Sequence, residues 1–583
     1  MVYSTNKVFV AAMAVCITAL LAVADSTGTA QEPANKKILQ PQGLNHAGIH
    51  RLRQAEPSLT GKGVTVGVIS RSISYIEGEP QNDYRPDVSH NCLREEQFGF
   101  HDGSQPAGAI SPHSTAICSI LLGADSNGFT EQAGEFDYEG AAPAVKAKVY
   151  EFWYFLINNV FTFTMPEANI VTASFGTDSQ DWWTRGIESL AEHYGITVTA
   201  GIGNGTDAYD TALYPAAGSN VIGVGVVDSV NSAEPATALA NFALAYPRHS
   251  SAGPTADGRC KPDIVAPGNC LVAAVNEPDS YKATGNWSSF STPMVAGTIA
   301  LLVQKAQQDP NLSSAISQAG GNCVMKAILM SSARKLPYWH KGLLKKDDDH
   351  TVPLDYVQGA GMLDAVSAYE ILTAGQNDGG KGTPAGWDLN TLERGRRPEK
   401  VYKLAVSQPK DEFITATVVW NRHYESVYPF EPLAEKDANL RLELWAVDAN
   451  DPNKDYMLDY SDSQRDNVEH IYCRADGNYA NYELAVLYSD IEEPNSADTG
   501  HNYAVAWQTT EGPDHDDILW YDLNADGIVN DSDVLALLNS LAAGMAPREG
   551  YLFGDINEDG IINIADLQIL ANHLNLRADW YKE

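Results

Sequence analysis

The chain has 583 residues, too many for one hydrophobic core, so roughly two to four domains are expected. With 44% hydrophobic and 20% charged residues, its composition is globular and excludes a wholly disordered or fibrous protein. The 75 acidic residues outnumber the 39 basic ones and give a net charge of −36, which argues against nucleic acid as a partner because phosphate would be repelled.

The N-terminus predicts export. Lys7 is followed by an apolar run that ends at Ala24, and Ala22-Val23-Ala24 places small residues where a signal peptidase reads them. An uncleaved membrane anchor is the alternative, but the run is short and carries this cleavage motif. We therefore expect a signal peptide at 1–24, a lead-in segment at 25–57, and a secreted protein, extracellular or associated with the cell surface, with no membrane span after cleavage. Six cysteines remain, which permits disulfides without choosing their pairing.

Residues 58–374 alternate between short β-rich runs and helical runs. Such alternation predicts an α/β domain, in which helices cover both faces of a parallel sheet. The predicted strands are Val64–Ile69, Lys146–Phe152, Asn169–Phe175, Ile196–Ala200 and Asn220–Val227, and the predicted helices are Trp182–His193 and Thr292–Ala306.

In a second region, at 386–511, the sequence pattern predicts β-strands only. Glycines between Gln376 and Pro384 mark a linker at 375–385 before it. Strands at this density without helices between them predict an all-β sandwich. The clearest are Phe413–Trp420, Leu440–Val447, Tyr482–Leu487 and Tyr503–Trp507.

Three polar side chains of the α/β region have the chemistry of acyl transfer. Ser289 lies at the entry to a long helical run, where unpaired backbone N–H groups attract negative charge, but its hydroxyl needs a base to become a nucleophile. His113, also at a helix start, is a candidate base, and Asn204, on a Gly-flanked turn, can donate its amide to an oxyanion. Taken singly, each residue also fits a structural role as a helix cap, a core histidine or a turn residue.

The sequences around these residues resemble the subtilisin-like serine peptidases, the subtilase family. Trp287–Gly297 is similar to the serine motif of that family, and Lys261–Gly268 to its KPDIVAPG strand. Tyr214–Gly225 and Gly140–Pro143 are similar to its YPA…NVIxVG and GVAP stretches. These motifs occur in the order of the family across about residues 58–372, so the resemblance is specific and implies the same fold.

The resemblance implies a serine endopeptidase that hydrolyses peptide bonds through an acyl-enzyme. It implies Ser289 as the nucleophile, His113 as the general base and Asn204 as the oxyanion donor. It also implies a segment that lines the substrate cleft and pairs with an extended peptide. That segment comprises Ser174, Phe175 and Gly176.

The sequence departs from the family at three positions. Ser70 stands where an aspartate normally accepts the Nδ1 proton of the histidine; a serine can accept a hydrogen bond but supplies no charge. In subtilisin, loss of that aspartate lowers kcat by roughly 3 × 10⁴. Trp287 replaces a glycine, so that a large indole would crowd the cleft or change the path of the loop, and Met294 replaces a histidine, a change that we expect to be tolerated.

Two interpretations of the missing aspartate stay open. In the first, the chain is a peptidase weakened at Ser70, and a carboxylate from the following loop supplies the charge. In the second, it is a catalytically silent relative that binds peptides or serves cell-surface assembly, since a fold does not guarantee its function. The candidate carboxylates are Glu77, Glu79, Asp83 and Asp87.

The C-terminal segment at 516–577 contains a repeated loop with an offset of 33 residues. Both copies carry oxygen side chains at loop positions 1, 3, 5, 9 and 12 and a glycine at position 6, which is the pattern of a calcium loop. Position 7 contributes a backbone carbonyl. The predicted ligands are Asp522, Asn524, Asp526, Ile528, Asn530 and Asp533 in the first loop, and Asp555, Asn557, Asp559, Ile561, Asn563 and Asp566 in the second.

The last ligand of each loop is aspartate, and a single helical run follows each loop, at Val534–Ala543 and Leu567–Leu574. This arrangement resembles the type I dockerin, a small α module with two calcium loops. The resemblance implies two bound Ca²⁺ ions, no organic cofactor, and docking onto a cohesin-like domain of a scaffold or surface protein. A protein or peptide substrate is the other expected partner.

Overall fold

A computed structural model describes residues 37–577, apart from 73–74, 77–78, 104–107, 132, 206–210, 228–249, 286, 337–338, 343–347, 394–398, 408–411, 490–499, 511–520, 522–527, 544–555 and 557–562. The predicted signal peptide and most of the lead-in segment lie outside the described residues. Leu39–Asp514 form one compact unit, and the C-terminal segment from His515 belongs to another. The domain boundaries drawn from the sequence stay a prediction.

The elements up to residue 374 are named here in chain order. The strands are β1 (Ile38–Gln40), β2 (Thr65–Ser70), β3 (Tyr75–Ile76), β4 (Glu79–Pro80), β5 (Asp83–Arg85), β6 (Phe98–His101), β7 (Ala109–Ile110), β8 (Ala124–Thr130), β9 (Gly134–Glu139), β10 (Lys146–Glu151), β11 (Ile170–Ala173), β12 (Thr197–Gly201), β13 (Ile222–Val227), β14 (Ile264–Pro267), β15 (Leu271–Ala273) and β16 (Tyr281–Ala283). The helices are α1 (Gln42–His46), α2 (Ile49–Ala55), α3 (Pro112–Leu122), α4 (Phe152–Phe155, continued by a π-helical turn at Leu156–Phe161), α5 (Trp182–Tyr194), α6 (Ser288–Gln308), α7 (Gly321–Ser332) and α8 (Ala365–Ala374).

A seven-stranded sheet with the order β14-β13-β12-β11-β2-β10-β6 forms the centre of this part, and every neighbouring pair is parallel. Its strands are buried on both faces because alternate side chains enter different cores: Val66 and Val68 of β2 pack in one cluster, and Ile69 in another. The predicted α/β fold with a parallel sheet is thus confirmed.

The strand order of the sheet reverses at β2. From β2 the chain builds β6 and β10 on one side and then β11 to β14 on the other. In open parallel sheets, such a reversal opens a crevice beyond the carboxyl ends of the strands, and ligands bind there. Ser70 ends β2, and Ser174 follows the end of the neighbouring strand β11, so both residues lie at this crevice.

The second part of the compact unit is an antiparallel β-sandwich, as predicted. Its sheets have the orders β17-β24-β19-β22 and β18-β23-β20-β21. Helix α7 packs against it, and the Ser331 hydroxyl donates to the Ala506 carbonyl at 2.8 Å, so the sandwich shares a core with the α/β part. The strands are β17 (Ala385–Leu392), β18 (Glu399–Ala405), β19 (Phe413–Trp420), β20 (Leu440–Val447), β21 (Tyr456–Ser461), β22 (Val468–Arg474), β23 (Asn481–Tyr488) and β24 (His501–Thr510).

The C-terminal unit contains helices α9 (Asp531–Ala543) and α10 (Ile564–Asn572), whose buried residues include Leu537 and Leu570. Within the described part of the chain, no helix is both long and apolar enough to cross a membrane. The six cysteines that follow the predicted signal peptide are all described, and all are free thiols.

Candidate active site

A cleft of about 250 Å³ lies at the crevice where the strand order reverses. It brings together the six residues that the sequence predicted for nucleophile, base, oxyanion donor and substrate pairing. The described residues that line it are Ile69, Ser70, Arg71, His113, Ser174, Phe175, Gly176, Gly201, Gly203, Asn204, Leu213, Ser288 and Ser289.

Ser289 is the second residue of α6, whose N-cap is Trp287. Its hydroxyl is partly exposed and donates to the carbonyl oxygen of Ser174 at 3.2 Å, while the Ser174 hydroxyl donates to the Ser289 carbonyl at 2.9 Å. This reciprocal pair holds the start of α6 against the end of β11.

Two N–H groups of the first helical turn are engaged: that of Ser288 donates to Asn204 Oδ1 at 3.0 Å, and that of Phe290 donates to the Trp287 carbonyl at 2.9 Å. The Ser289 N–H has no partner among the described contacts, so it is the donor of this turn that remains at the cleft.

Asn204 follows β12, and its side chain is exposed in the cleft. Its Oδ1 accepts hydrogen bonds from both the backbone N–H and the hydroxyl of Ser288, at 3.0 and 3.1 Å. Since the oxygen of the carboxamide is engaged, its nitrogen is the group left to donate. Ser288 therefore orients the Asn204 side chain. The sequence did not predict this role; its one indication was a second hydroxyl residue beside the predicted nucleophile at the start of a helix.

The Asn204 turn depends on the glycine before it. Gly203 has a φ of +117°, and a Cβ atom there would lie 2.3 Å from the Ser251 hydroxyl oxygen. Its backbone N–H donates to the Ser288 hydroxyl at 3.2 Å. Only glycine combines this conformation with so close an approach, so Gly203 brings the strand end against the start of α6.

His113 is the second residue of α3, which begins after the N-cap Ser111. Burial lowers the pKa of His113 to about 4, and the negative charge of Asp83 acts in the opposite direction. Its ring lies 6.1 Å from the ring of Phe290, centroid to centroid. Among the described residues, no hydrogen bond joins His113 to Ser289, so the two are brought to the same cleft without being directly bonded.

Ser70, in the position of the expected aspartate, is buried at the end of β2. Its hydroxyl lies 2.5 Å from that of Ser114, the residue after His113. The sequence allowed a hydrogen bond from His113 to Ser70. In the described structure, the Ser70 hydroxyl contacts Ser114 instead. Ser70 therefore ties β2 to α3 but brings no charge beside the imidazole.

Of the four candidate carboxylates, Asp83 is the one whose charge acts on His113. Asp83 is buried in β5 and accepts a hydrogen bond from the hydroxyl of Ser72, two residues beyond Ser70. Asp87 instead accepts from the Asn276 backbone N–H at 2.7 Å. The other two lie outside the described side chains: Glu77 and Glu79.

Residues 61–361, more than half of the chain, match the model of the subtilase family. The chain belongs to the subtilase family. Three relatives agree with this assignment. Subtilisin-like protease SBT6.1 of Arabidopsis thaliana is 31% identical over 30% of this chain and 14% of the relative, and serine protease AprX of Bacillus subtilis is 31% identical over 25% of this chain and 35% of the relative. C5a peptidase of Streptococcus pyogenes is 35% identical over 21% of this chain and 9% of the relative. This subtilase thus spans between 9% and 35% of the length of these relatives.

The two other departures from the subtilase pattern are accommodated outside the cleft. Trp287 is 50% exposed and stacks on Phe290 with ring centroids 5.7 Å apart, and it does not line the cleft. Met294 lies in α6 and is fully buried. Its Cε packs so closely against Gly43 that a Cβ atom on that glycine would lie only 2.9 Å away. Neither substitution enters the space beside Ser289.

Residues 519–575 match the dockerin type I domain, a class that binds calcium. The described parts of the two loops repeat one geometry. The Asn530 N–H donates to Asp533 Oδ2 at 2.8 Å, and the Asn563 N–H donates to Asp566 Oδ2 at 2.7 Å. Both aspartates are fully buried, and a buried carboxylate in a set of oxygen donors fits a hard cation.

Ile528 is also described and forms a β-bridge with Arg577. The remaining predicted calcium ligands lie outside the described residues. They are Asp522, Asn524, Asp526, Asp555, Asn557, Asp559 and Ile561.

Proposed function

We propose that this subtilase is a secreted serine endopeptidase that acts through an acyl-enzyme and is tethered by its dockerin. One observation carries the proposal: Ser289, His113 and Asn204, far apart in sequence, line one cleft of about 250 Å³. Nucleophile, base and oxyanion donor are the groups that acyl transfer requires around one carbonyl.

Substrate binding prepares the nucleophile in this proposal. The Ser289 hydroxyl donates to the Ser174 carbonyl in the free protein. A peptide that pairs with the segment from Ser174 to Gly176 offers its own N–H to that carbonyl and releases the hydroxyl toward His113. His113, neutral at pH 7 because its pKa is about 4, then accepts the proton as Ser289 attacks.

The charges that develop during attack need partners of opposite sign. The oxyanion accepts from the Asn204 amide, held by Ser288, and from the backbone N–H of Ser289 at the start of α6. The imidazolium is stabilised by Asp83, which replaces the carboxylate missing at Ser70. His113 next gives its proton to the leaving amine, and water hydrolyses the acyl-enzyme by the same steps.

Hydrolysis of a fluorogenic peptide by the full chain tests the proposal. We expect Ser289→Ala to reduce the rate to the small residue that binding and the oxyanion donors sustain without the nucleophile, and Ser313→Ala, an exposed serine outside the cleft, to leave it unchanged. Equal rates for the wild type and Ser289→Ala would refute the peptidase assignment.

A silent peptide-binding or assembly protein is the second candidate. It is favoured by Ser70 and by the engagement of the Ser289 hydroxyl with Ser174 instead of His113. Peptides that bind the wild type without turnover, with equal affinity for Ser289→Ala, would establish this function instead.

The C-terminal module is proposed to bind two Ca²⁺ ions and then a cohesin-like domain. Calorimetric titration of the chelator-treated full chain should give two ions. Asp533→Ala combined with Asp566→Ala should abolish uptake, because both carboxylates are the last ligands of their loops. The exposed neighbour Asp531 gives the control, since Asp531→Ala should leave uptake intact. Calcium uptake unchanged in the double variant would reject the assignment.

A further inference from the structure

Arg71 is the one permanently charged residue among the thirteen described residues that line the cleft. The other lining groups are apolar, hydroxyl, amide or backbone groups, and His113 is neutral at pH 7. The chain as a whole carries a net charge of −36. At contact distance, the Arg71 charge will attract a negative group of a bound peptide, against the long-range repulsion that the acidic protein exerts on anions.

The position of Arg71 is set by its neighbours. It directly follows Ser70 at the end of β2, and its Cζ lies 5.6 Å from the ring centroid of Phe152. That ring packs edge-on against Phe175 of the substrate-pairing segment, with centroids 5.2 Å apart. The guanidinium is therefore held above an aromatic surface that adjoins the proposed path of the peptide.

Within the described part of the chain, the donors of Arg71 are not taken up by a carboxylate, and the side chain is exposed. The contact with the Phe152 ring is a cation–π contact and uses no hydrogen bond of the guanidinium, whose N–H groups match the two oxygens of a carboxylate.

We propose that Arg71 is a specificity residue that binds a glutamate or aspartate side chain of the substrate close to the scissile bond. This inference rests on the proposed peptidase function, because it assumes that a peptide occupies the cleft. It assigns acidic peptides as the substrate class. Since the pair stays partly open to water, we expect a preference of about five- to tenfold.

Internally quenched peptides that differ only by Glu or Gln test the proposal, with the exchange made at each of three positions on either side of the cleavage site. The full-length wild type should cleave the Glu peptide about five- to tenfold faster in kcat/KM at one position, and less selectively at high salt. Arg71→Gln should bring that ratio near one. Arg71→Glu should favour a Lys peptide at the same position.

Arg94→Gln is the matched control, because Arg94 is exposed and lies outside the cleft lining. It should keep the preference for Glu. A Glu preference that survives in Arg71→Gln, or no preference in the wild type at any position, would overturn the assignment.

Binding separates this inference from the peptidase proposal. Fluorescence anisotropy measures the affinity of the same peptides for Ser289→Ala and for Ser289→Ala with Arg71→Gln. Tighter binding of the Glu peptide that Arg71→Gln abolishes supports the inference even if the wild type hydrolyses nothing. Hydrolysis without preference overturns the inference alone, and the absence of both binding and hydrolysis overturns both proposals.

Discussion

The two sides of the cleft are built differently. On the nucleophile side, which comprises Ser174, Asn204, Ser288 and Ser289, hydrogen bonds connect the residues across three elements. On the base side, which comprises Ser70, Asp83 and His113, no hydrogen bond joins the imidazole to another described residue, and its electrostatic support comes from Asp83.

This difference shows where the subtilase site has changed. Preorganised donors need no rearrangement when charge develops, so in the proposed mechanism the nucleophile side supplies most of what acyl transfer requires. In the proposed mechanism, Asp83 in strand β5 takes the place of the carboxylate that is missing at the end of β2. We therefore expect variants on the nucleophile side to lose the most activity, and the base side to be the place where activity can be gained.

The largest effect in this comparison is expected at Asn204. Asn204→Leu keeps the size of the side chain but removes the donor, and kcat should fall by about 10²–10³ with little change in KM. Steady-state hydrolysis of one peptide measures both constants. Asn311→Leu, at an exposed asparagine outside the cleft, is the control. A loss expressed only in KM would show that Asn204 binds the substrate without stabilising the oxyanion.

The next effect is a gain. Ser70→Asp places a carboxylate at the end of β2, where the Ser114 hydroxyl can donate to it, and should raise kcat/KM by about tenfold or more. Ser70→Asn has the same shape without the charge and should give no gain. If both variants changed the rate equally, the lack of charge at position 70 would not be what limits this subtilase.

The parallel fold was predictable from the sequence because the central strands are buried on both faces and therefore apolar throughout. The edge strand β6 was missed, since Phe98–His101 is only partly buried and includes a glycine and a histidine. The other edge, β14, was recognised only through its family motif. Helix α6 begins at Ser288, four residues before the predicted start, because Pro293 obscured its first turns.

The site was predictable to the same degree. Family motifs predicted Ser289, His113 and Asn204, and the structure places all three in one cleft, while their catalytic roles stay a prediction. The contributions of Ser288, Asp83 and Arg71 depend on how side chains meet in space. The sequence left four carboxylates as candidates for the charge beside His113, and the contact of β5 with α3 in the folded protein is what distinguishes Asp83 from the others.

A smaller loss is expected at Asp83. Asp83→Asn keeps the shape and the contact with Ser72 but removes the charge, so kcat/KM should fall by about tenfold as the imidazolium loses its support. Because the charge of Asp83 raises the pKa of His113, its removal should also lower the pKa seen in the pH profile. Asp279→Asn, at an exposed aspartate, is the control. A lower rate with an unshifted pH profile would assign Asp83 a purely structural role.

The smallest change in kcat/KM is expected when the pH is lowered from neutral to mildly acidic. In the proposed mechanism, the free enzyme is active while His113 is neutral. Since the pKa of His113 is about 4 instead of 6.5, kcat/KM should hardly change between pH 7 and pH 5.5 and should halve near pH 4. A half-maximal point near 6.5 would show that His113 is not held as described, or is not the base.

Unfolding must be separated from titration in that measurement. His113 and the buried His50 both have pKa values near 4 in the folded protein, so the unfolded chain takes up protons first as the pH falls from 6.5 to 4, and stability decreases across that window. Far-ultraviolet circular dichroism recorded at each acid pH distinguishes the two causes, because only unfolding changes the spectrum. Activity that falls while the spectrum is unchanged assigns the loss to the protonation of His113, so that charge and not folding limits the base side of the cleft.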